Sequence, residues 1–528
     1  MASGRGRRAA AALVAVALLA ACTGGDDPEP AAGPTTSRAE STGDPAPAVR
    51  LGIGDALEVD PAAASLASPT ELMVIDLLYD GLTRLDADGV AQPALAARWH
   101  ANAGRTAFAF DLDRDATFAS GRRVTPTDVI ASWERVLAAG DTSLPALSLE
   151  AVKGFRAFVE GEAEHVSGLT APDDDTVHVA LTTPLSVLPA IVASPIFSVV
   201  DVESLREHDP AVLDLSGSWA VASADDAGLR VERRDGAGDL EAVELRTYTD
   251  EEAAYDGFDA EEVDWAAVPS SRYDAAVDDH GTDAFAPFHA ELFFGMNLGS
   301  PTLATPALRR AIQLAIDREA IVEAVYADLA DPLPTIVPAG VDGHDPERCE
   351  PCAYDPVRAA EIISFAYGAD APVIHIDFDA SGSQREMAAL IAEDLDEVGI
   401  PTELRPLPLD DYKRFVVSGN QELFSFGWIG AYRSPDAYLA PLFGSAANDN
   451  LTSYRSARVD RLLERARIGA DPNRNPVDWA EAEEEVLIDA VVVPIAQFRT
   501  QVVVADRVKG LAHAVDGTVD WAQVRLTG

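Results

Sequence analysis

Lysine and cysteine are nearly missing from this chain of 528 residues: three lysines (Lys153, Lys413, Lys509) and three cysteines (Cys22, Cys349, Cys352). With so few lysines the formal net charge falls to −48, and arginine is the main cation. A field of that sign repels nucleic-acid phosphates and anionic headgroups, so no nucleic acid is expected as a partner. It would attract cationic ligands, but the Ala, Arg and Asp bias along the whole chain favours a solvated acidic surface. Long apolar runs are scarce as well. After the N-terminal segment none approaches the roughly twenty residues that span a bilayer. Catalytic signatures are missing too: there is no G-x-S-x-G elbow, H-E-x-x-H, S-x-x-K with K-T-G, P-loop or dinucleotide fingerprint. The cluster Ser381, Gly382, Ser383 has no histidine beside it in sequence, and the nine histidines are scattered singly. Acidic runs such as Asp173 to Asp175 and Glu483 to Glu485 read as solvated turns or helix faces. No enzyme activity, cofactor or metal is expected.

What is present begins with the N-terminus. Arg5, Arg7 and Arg8 precede an apolar run from Ala9 to Ala21, too short to span a membrane but suited to a secretory signal. Leu19, Ala20, Ala21 and Cys22 then resemble a bacterial lipobox, which implies that the Cys22 thiol is acylated and becomes the mature N-terminus. Residues 1–21 are thus expected to be a lipoprotein signal and residues 22–48 a flexible tether. Its Gly, Pro, Ser, Thr, Asp and Ala content offers no aromatic residue to nucleate a core.

Cys349 and Cys352 lie close together, and outside the cytoplasm such a pair is expected to oxidise to a disulfide. A metal site with His344, Asp342 or Asp345, or a redox centre, are the alternatives. Along the body, short strands alternate with helices. Residues 71–78 read as an apolar helix and 106–112 as a strand with Phe108 and Phe110 on one face. Thr125 and Pro126 open a capped helix through Ala138. Residues 373–378, 383–398 and 402–406 read as a strand, helix and strand, a βαβ unit. Two more helices are expected at 306–327 and 457–468. The class is α/β with mixed sheets.

Six blocks in order resemble the solute-binding proteins of ABC importers, in family 5, the large cluster of oligopeptide- and dipeptide-binding lipoproteins. They are LLYDGLTRLDADGVAQPALAARW (77–99), FAFDLDRDATFASGRRVTPTDVIASWERVL (108–137), GLTAPDDDTVHVAL (168–181), FFGMNLGSP (293–301), LRRAIQLAIDREAIVEAVY (308–326) and FGWIGAYRSPDAYLAPLF (426–443). The resemblance implies a two-lobed periplasmic-binding-protein-like fold of type II, closing on ligand like a Venus flytrap about hinge strands. Lobe I would run over 49–291, lobe II over the insert 292–490, and 491–528 would return to lobe I. Apolar stretches at 292–298 and 491–496 are the expected crossings. The implied protein is a monomer, lipid-anchored at the outer face of the membrane. It would capture a peptide or peptide-like ligand and deliver it to ABC permease subunits. Another small solute, such as a nickel chelate or glycan, and a non-transport sensory or structural lipoprotein remain the alternatives, since fold does not fix ligand.

In peptide-binding relatives the Gly-Trp block lines the cleft, and a carboxylate three residues after the tryptophan holds the ligand's α-ammonium. Gly427 and Trp428 are present here, but Ala431 stands at the carboxylate position. Stranding a buried charge costs about 3–5 kcal/mol. Either the ligand lacks a free α-amine, or Asp379, Asp377 or Asp436 takes over. Expected ligand contacts are Trp428 and Tyr432 as aromatic walls and Ile429, Gly430 and Ala431 as pairing backbone. Asn297 and Met296 at the crossing, and Asp379 at a strand's C-terminal edge, complete the set.

Overall fold

The computed structural model describes residues 47–54, 57–65, 67–86, 89–139, 149–234, 236, 238–281, 285–380, 382–468, 476–514 and 516–527. Cys22, the signal and nearly all of the tether lie outside them.

The first sheet of lobe I is assembled from distant pieces of chain. Its strand order is Val502–Val504, Trp265–Ala267, Ala48–Ile53, Ala242–Thr247, Gly228–Arg233, Trp219–Asp225. The C-terminal segment thus supplies an edge strand to a sheet begun by the first described residues. One buried carboxylate locks this joint. Asp264 accepts from Arg50 Nε and Nη2 at 3.0 and 2.8 Å, and from Arg507 Nε and Nη2 at 2.6 Å each. Burial alone would raise the Asp264 carboxyl, but bonds from the two guanidinium groups outweigh it and hold it below the ordinary carboxylate value.

A second, four-stranded sheet of lobe I has the order Ala96–Ala101, Ala107–Leu112, Thr176–Ala180, Leu169–Thr170. Phe108, Phe110 and Leu112 alternate inward as period-two patterning requires. The helix Pro126–Ala138 starts with a complete capping box, Thr125 with Asp128, and buries Val129, Trp133, Val136 and Leu137.

Lobe II is a six-stranded mixed sheet. Its order is Ala330–Pro332, Val492–Arg499, Pro287–Met296, Leu423–Ile429, Ile374–Asp379, Thr402–Leu407. The crossings fall elsewhere than the apolar stretches suggested. Those stretches lie in the two antiparallel strands Pro287–Met296 and Val492–Arg499 in the middle of this sheet, so sheet membership moves the change of lobe to about 286 and 500. There the two chain segments run side by side. The Thr500 amide donates to Ala286 O at 2.7 Å, the Ala286 amide to Thr500 Oγ1 at 3.1 Å, and Arg499 Nη1 to Phe285 O at 3.0 Å. Apolarity marked the strands because both are buried on both faces, not because they cross.

A second difference concerns the helix expected at 306–327. It is two helices, Pro306–Ala315 and Arg318–Val325. Ile316 is extended, and the Asp317 side chain accepts from the Ala320 amide at 3.1 Å, so an internal aspartate starts a new N-terminus.

Cys349 and Cys352 are joined in a disulfide within the short turn Glu350–Cys352. His344 Nδ1 lies 2.7 Å from Val337 O. Next to this turn Glu483, from the helix Pro476–Ile488, accepts the Ile336 and Val337 amides at 2.8 Å each and Arg348 Nε at 3.2 Å. Burial outweighs these partners and pushes the Glu483 carboxyl up to about 7. A group whose folded value lies above its unfolded one favours the protonated fold, so its contribution is complete in mild acid and lost as pH rises through 7. The melting temperature should fall between pH 5 and pH 8, and Glu483→Gln should flatten that slope in thermal unfolding followed by circular dichroism.

Candidate functional site

A cavity of about 730 Å³ lies where the lobes meet, within the range of small-ligand sites. Lobe I contributes residues of two segments, 150–157, which runs into the helix Phe155–Val159, and 182–185. Lobe II contributes Trp428, Ala431 and Tyr432, the helix Asp436–Phe443 with the loop after it, and Leu463, Glu464 and Arg467 of the helix Ala457–Ile468. Beside it the lobes touch directly. The Ser186 amide donates to Arg467 O at 3.0 Å, Asn448 Nδ2 to Glu150 Oε2 at 3.3 Å, and Arg433 Nη1 to Asp86 O at 3.3 Å.

Trp428, Ala431 and Tyr432, three of the residues expected at the ligand, line this cavity together. Each is also tied into the fold. Trp428 Nε1 donates to Ala437 O at 2.8 Å, and the Tyr432 hydroxyl to Asp436 Oδ2 at 2.6 Å. Ile429 ends an interior strand of the lobe II sheet, Gly430 follows it, and neither lines the cavity. The Gly430 amide donates to His289 O at 3.0 Å with Ala290 opposite Ile429, so the even-numbered residues spend their backbone groups on the strand Pro287–Met296. Gly427 and Ile429 turn theirs to the other edge, where Ile374–Asp379 pairs only with Leu423 and Phe424.

Met296 and Asn297 stand apart from this group. Met296 pairs with Leu423, at the opposite end of the strand from the cavity. Asn297 is a structural clamp: its Nδ2 donates to Gly419 O and Gln421 O at 3.1 and 2.9 Å, and its Oδ1 accepts from the Gly299 amide. Its conspicuous sequence position reflects that turn.

The carboxylates considered as replacements at Ala431 are also accounted for. Asp436, fully buried, accepts Arg467 Nε and Nη2 at 2.5 and 3.1 Å besides the Tyr432 hydroxyl. Asp377, fully buried, accepts Arg405 Nε and Nη2 at 2.6 and 2.8 Å and the Glu422 amide at 2.8 Å. Asp379 is buried at the end of its strand, outside the cavity wall.

Sequence reading missed several acidic groups here. Glu150 pairs with Arg156, and Asp449 lines the same cavity. Burial, reinforced by the nearby Glu150, pushes the Asp449 carboxyl up to about 6. Glu464 lines the same wall, and Asp460 accepts the Ser445 amide. Nothing local distinguishes these loop and helix acids from surface ones.

Glu291 was also missed. It lies in the strand Pro287–Met296 directly opposite Trp428, on the same face of the sheet, with no exposed surface. Among the described residues neither of its carboxylate oxygens has a hydrogen-bond partner, nor does the fully buried Tyr438 hydroxyl. Each buried polar group left unpaired costs about 1–3 kcal/mol. Burial holds the Glu291 carboxyl well above the ordinary value. The available signal was a lone acid in the strand from Phe288 to Met296, where His289 is the other polar residue.

Comparison with known proteins places this architecture. The family model "Bacterial extracellular solute-binding proteins, family 5 Middle" matches residues 90–450. The dipeptide-binding protein DppE of Bacillus subtilis is 23% identical over 481 residues, covering 84% of this chain and 86% of that protein. A probable deoxycholate-binding periplasmic protein of Escherichia coli, YgiS, is 25% identical over 447 residues, covering 80% of this chain and 83% of its own. In three dimensions the unliganded open form of the periplasmic murein tripeptide binding protein MppA superposes with a TM-score of 0.80 at 21% identity, covering 90% of this chain and 97% of that one. With a mixed α/β fold in two lobes and a family match over most of its length, the chain belongs to the bacterial extracellular solute-binding proteins of family 5.

Proposed function

We propose that this chain is a lipid-anchored receptor at the outer face of the membrane that captures a peptide or peptide-like solute between its lobes and delivers it to an ABC permease, without chemistry of its own. The observation that carries the reading is the cavity itself, walled by both lobes and floored by the Trp428 strand end. A ligand that touches both walls is bound better in the closed arrangement than in the open one, and only such differential contact shifts that balance. The strand end that brings Trp428 to the cavity supports a peptide, because an extended chain pairs by backbone hydrogen bonds whatever its side chains. Relatives named for dipeptides and a murein tripeptide point the same way.

Mass spectrometry of protein released from membranes without denaturant should show a peptide-sized adduct that denaturation removes. A bile-acid-like, glycan or metal-chelate adduct would instead assign another solute. Attachment through Cys22 makes a separate prediction. Cys22→Ala should move the protein from the membrane fraction to the soluble extracytoplasmic fraction, read by immunoblot. Retention at the membrane without a lipid adduct would rule out the anchor.

A further inference from the structure

We propose that Glu291, with Tyr438, is the receiver for a primary ammonium of the bound ligand, supplying from the neighbouring strand the carboxylate that position 431 lacks. The inference rests on the reading of this chain as a receptor that binds between its lobes.

Three observations point to it. First, other buried carboxylates around the cleft have partners: Asp436 holds Arg467 and Tyr432, Asp377 holds Arg405 and the Glu422 amide, and Asp516, which lines the smaller void beside Ala431, accepts the Thr518 amide and hydroxyl. Glu291 alone among the described residues has both carboxylate oxygens buried without a partner. The side chain across the strand on its other side does not help, since Gln497 Nε2 donates to Phe288 O and Ala339 O and its Oε1 accepts the Ala339 amide.

Second, the neighbouring polar atom is also waiting. Tyr438 lies against the backbone of Gly430, where an added Cβ would meet its hydroxyl at 2.2 Å, so glycine at 430 is what lets the ring lie there. That hydroxyl is unpartnered, and Glu291 is its strongest charged neighbour. An ammonium has three donors, and two carboxylate oxygens with a phenolic oxygen are three acceptors.

Third, the place is right. Glu291 shares a sheet face with His289 and Trp428; Trp428 lines the main cavity. His289 lines a smaller void closed by Leu72, Leu85 and Pro195 of lobe I, together with Ala431 and Tyr432. Glu291 thus lies opposite Trp428, three residues before Ala431, and Tyr438 lies against Gly430, the residue next to it.

The test is calorimetry on the full-length protein and on Glu291→Gln and Tyr438→Phe. Probes are alanine tri- and tetrapeptides, each free and N-acetylated, and the diamine cadaverine. Glu291→Gln keeps the shape and removes a buried acid, so its melting temperature should not fall. It should lose about 30- to 100-fold in affinity for free-amine peptides and leave N-acetylated ones unchanged. Tyr438→Phe should lose about 5- to 10-fold with the same selectivity, and carries the test by itself should Glu291→Gln fail to fold. Equal wild-type affinity for free and N-acetylated peptides overturns the Glu291 assignment and leaves the peptide reading standing. Equal loss for both peptide types in a folded Glu291→Gln overturns it as well. Binding of cadaverine but of no peptide, abolished by Glu291→Gln, supports the assignment and overturns the peptide reading. Failure of every amine-bearing probe to bind the wild type overturns the assignment.

Discussion

The antiparallel pairing of Pro287–Met296 with Val492–Arg499 is the constraint on which the rest depends. These strands are the two ends of the lobe II insert, and they leave its sheet together through the bonds between Ala286 and Thr500. One chain of the pair continues into lobe I as its edge strand Val502–Val504, fixed nearby by Asp264 and Arg507. The hinge is therefore a narrow, doubly hydrogen-bonded ribbon with a locked joint on the lobe I side. Such a ribbon permits bending between lobes while the packed sheets on either side move as bodies.

The same strand that leaves the hinge also reaches the cleft. Pro287–Met296 carries His289 and Glu291 opposite Gly430 and Trp428 within a few residues of the crossing. On the far walls Asn448 Nδ2 meets Glu150 Oε2 at 3.3 Å, joining the lobes across the rim.

Four buried carboxylates among the described residues are held by arginine. Asp264, Asp377, Asp436 and Glu483 each hold arginine, so the shortage of lysine has a structural counterpart: planar, bidentate guanidinium groups supply nearly all the buried ion pairs. Against that background the unpaired Glu291 stands out, and a net charge of −48 over the whole chain says nothing about it. Bulk charge describes the surface; a single desolvated carboxylate describes a site.

Much of the architecture was legible from residues alone. The capped helix at Pro126, the inward alternation of Phe108 and Phe110, and the strand–helix–strand unit from 374 to 407 are local in origin, set by caps and hydrophobic period. The Gly-Trp block identified the strand end at the cleft, and Trp428, Ala431 and Tyr432 do share one cavity. Local pattern failed where one signal has two causes. Apolar runs mark a strand buried on both faces as readily as a crossing, and Asn297 marks a turn as readily as a ligand contact. Only the tertiary structure decided that Asp436 is held by Arg467, thirty-one residues along the chain, that segments 150–157 and 182–185 complete the cavity, and that Glu291 has no hydrogen-bond partner among the described residues. A residue's type is written in the sequence, but whether its charge is paired, desolvated or solvated depends on groups brought to it from elsewhere in the chain.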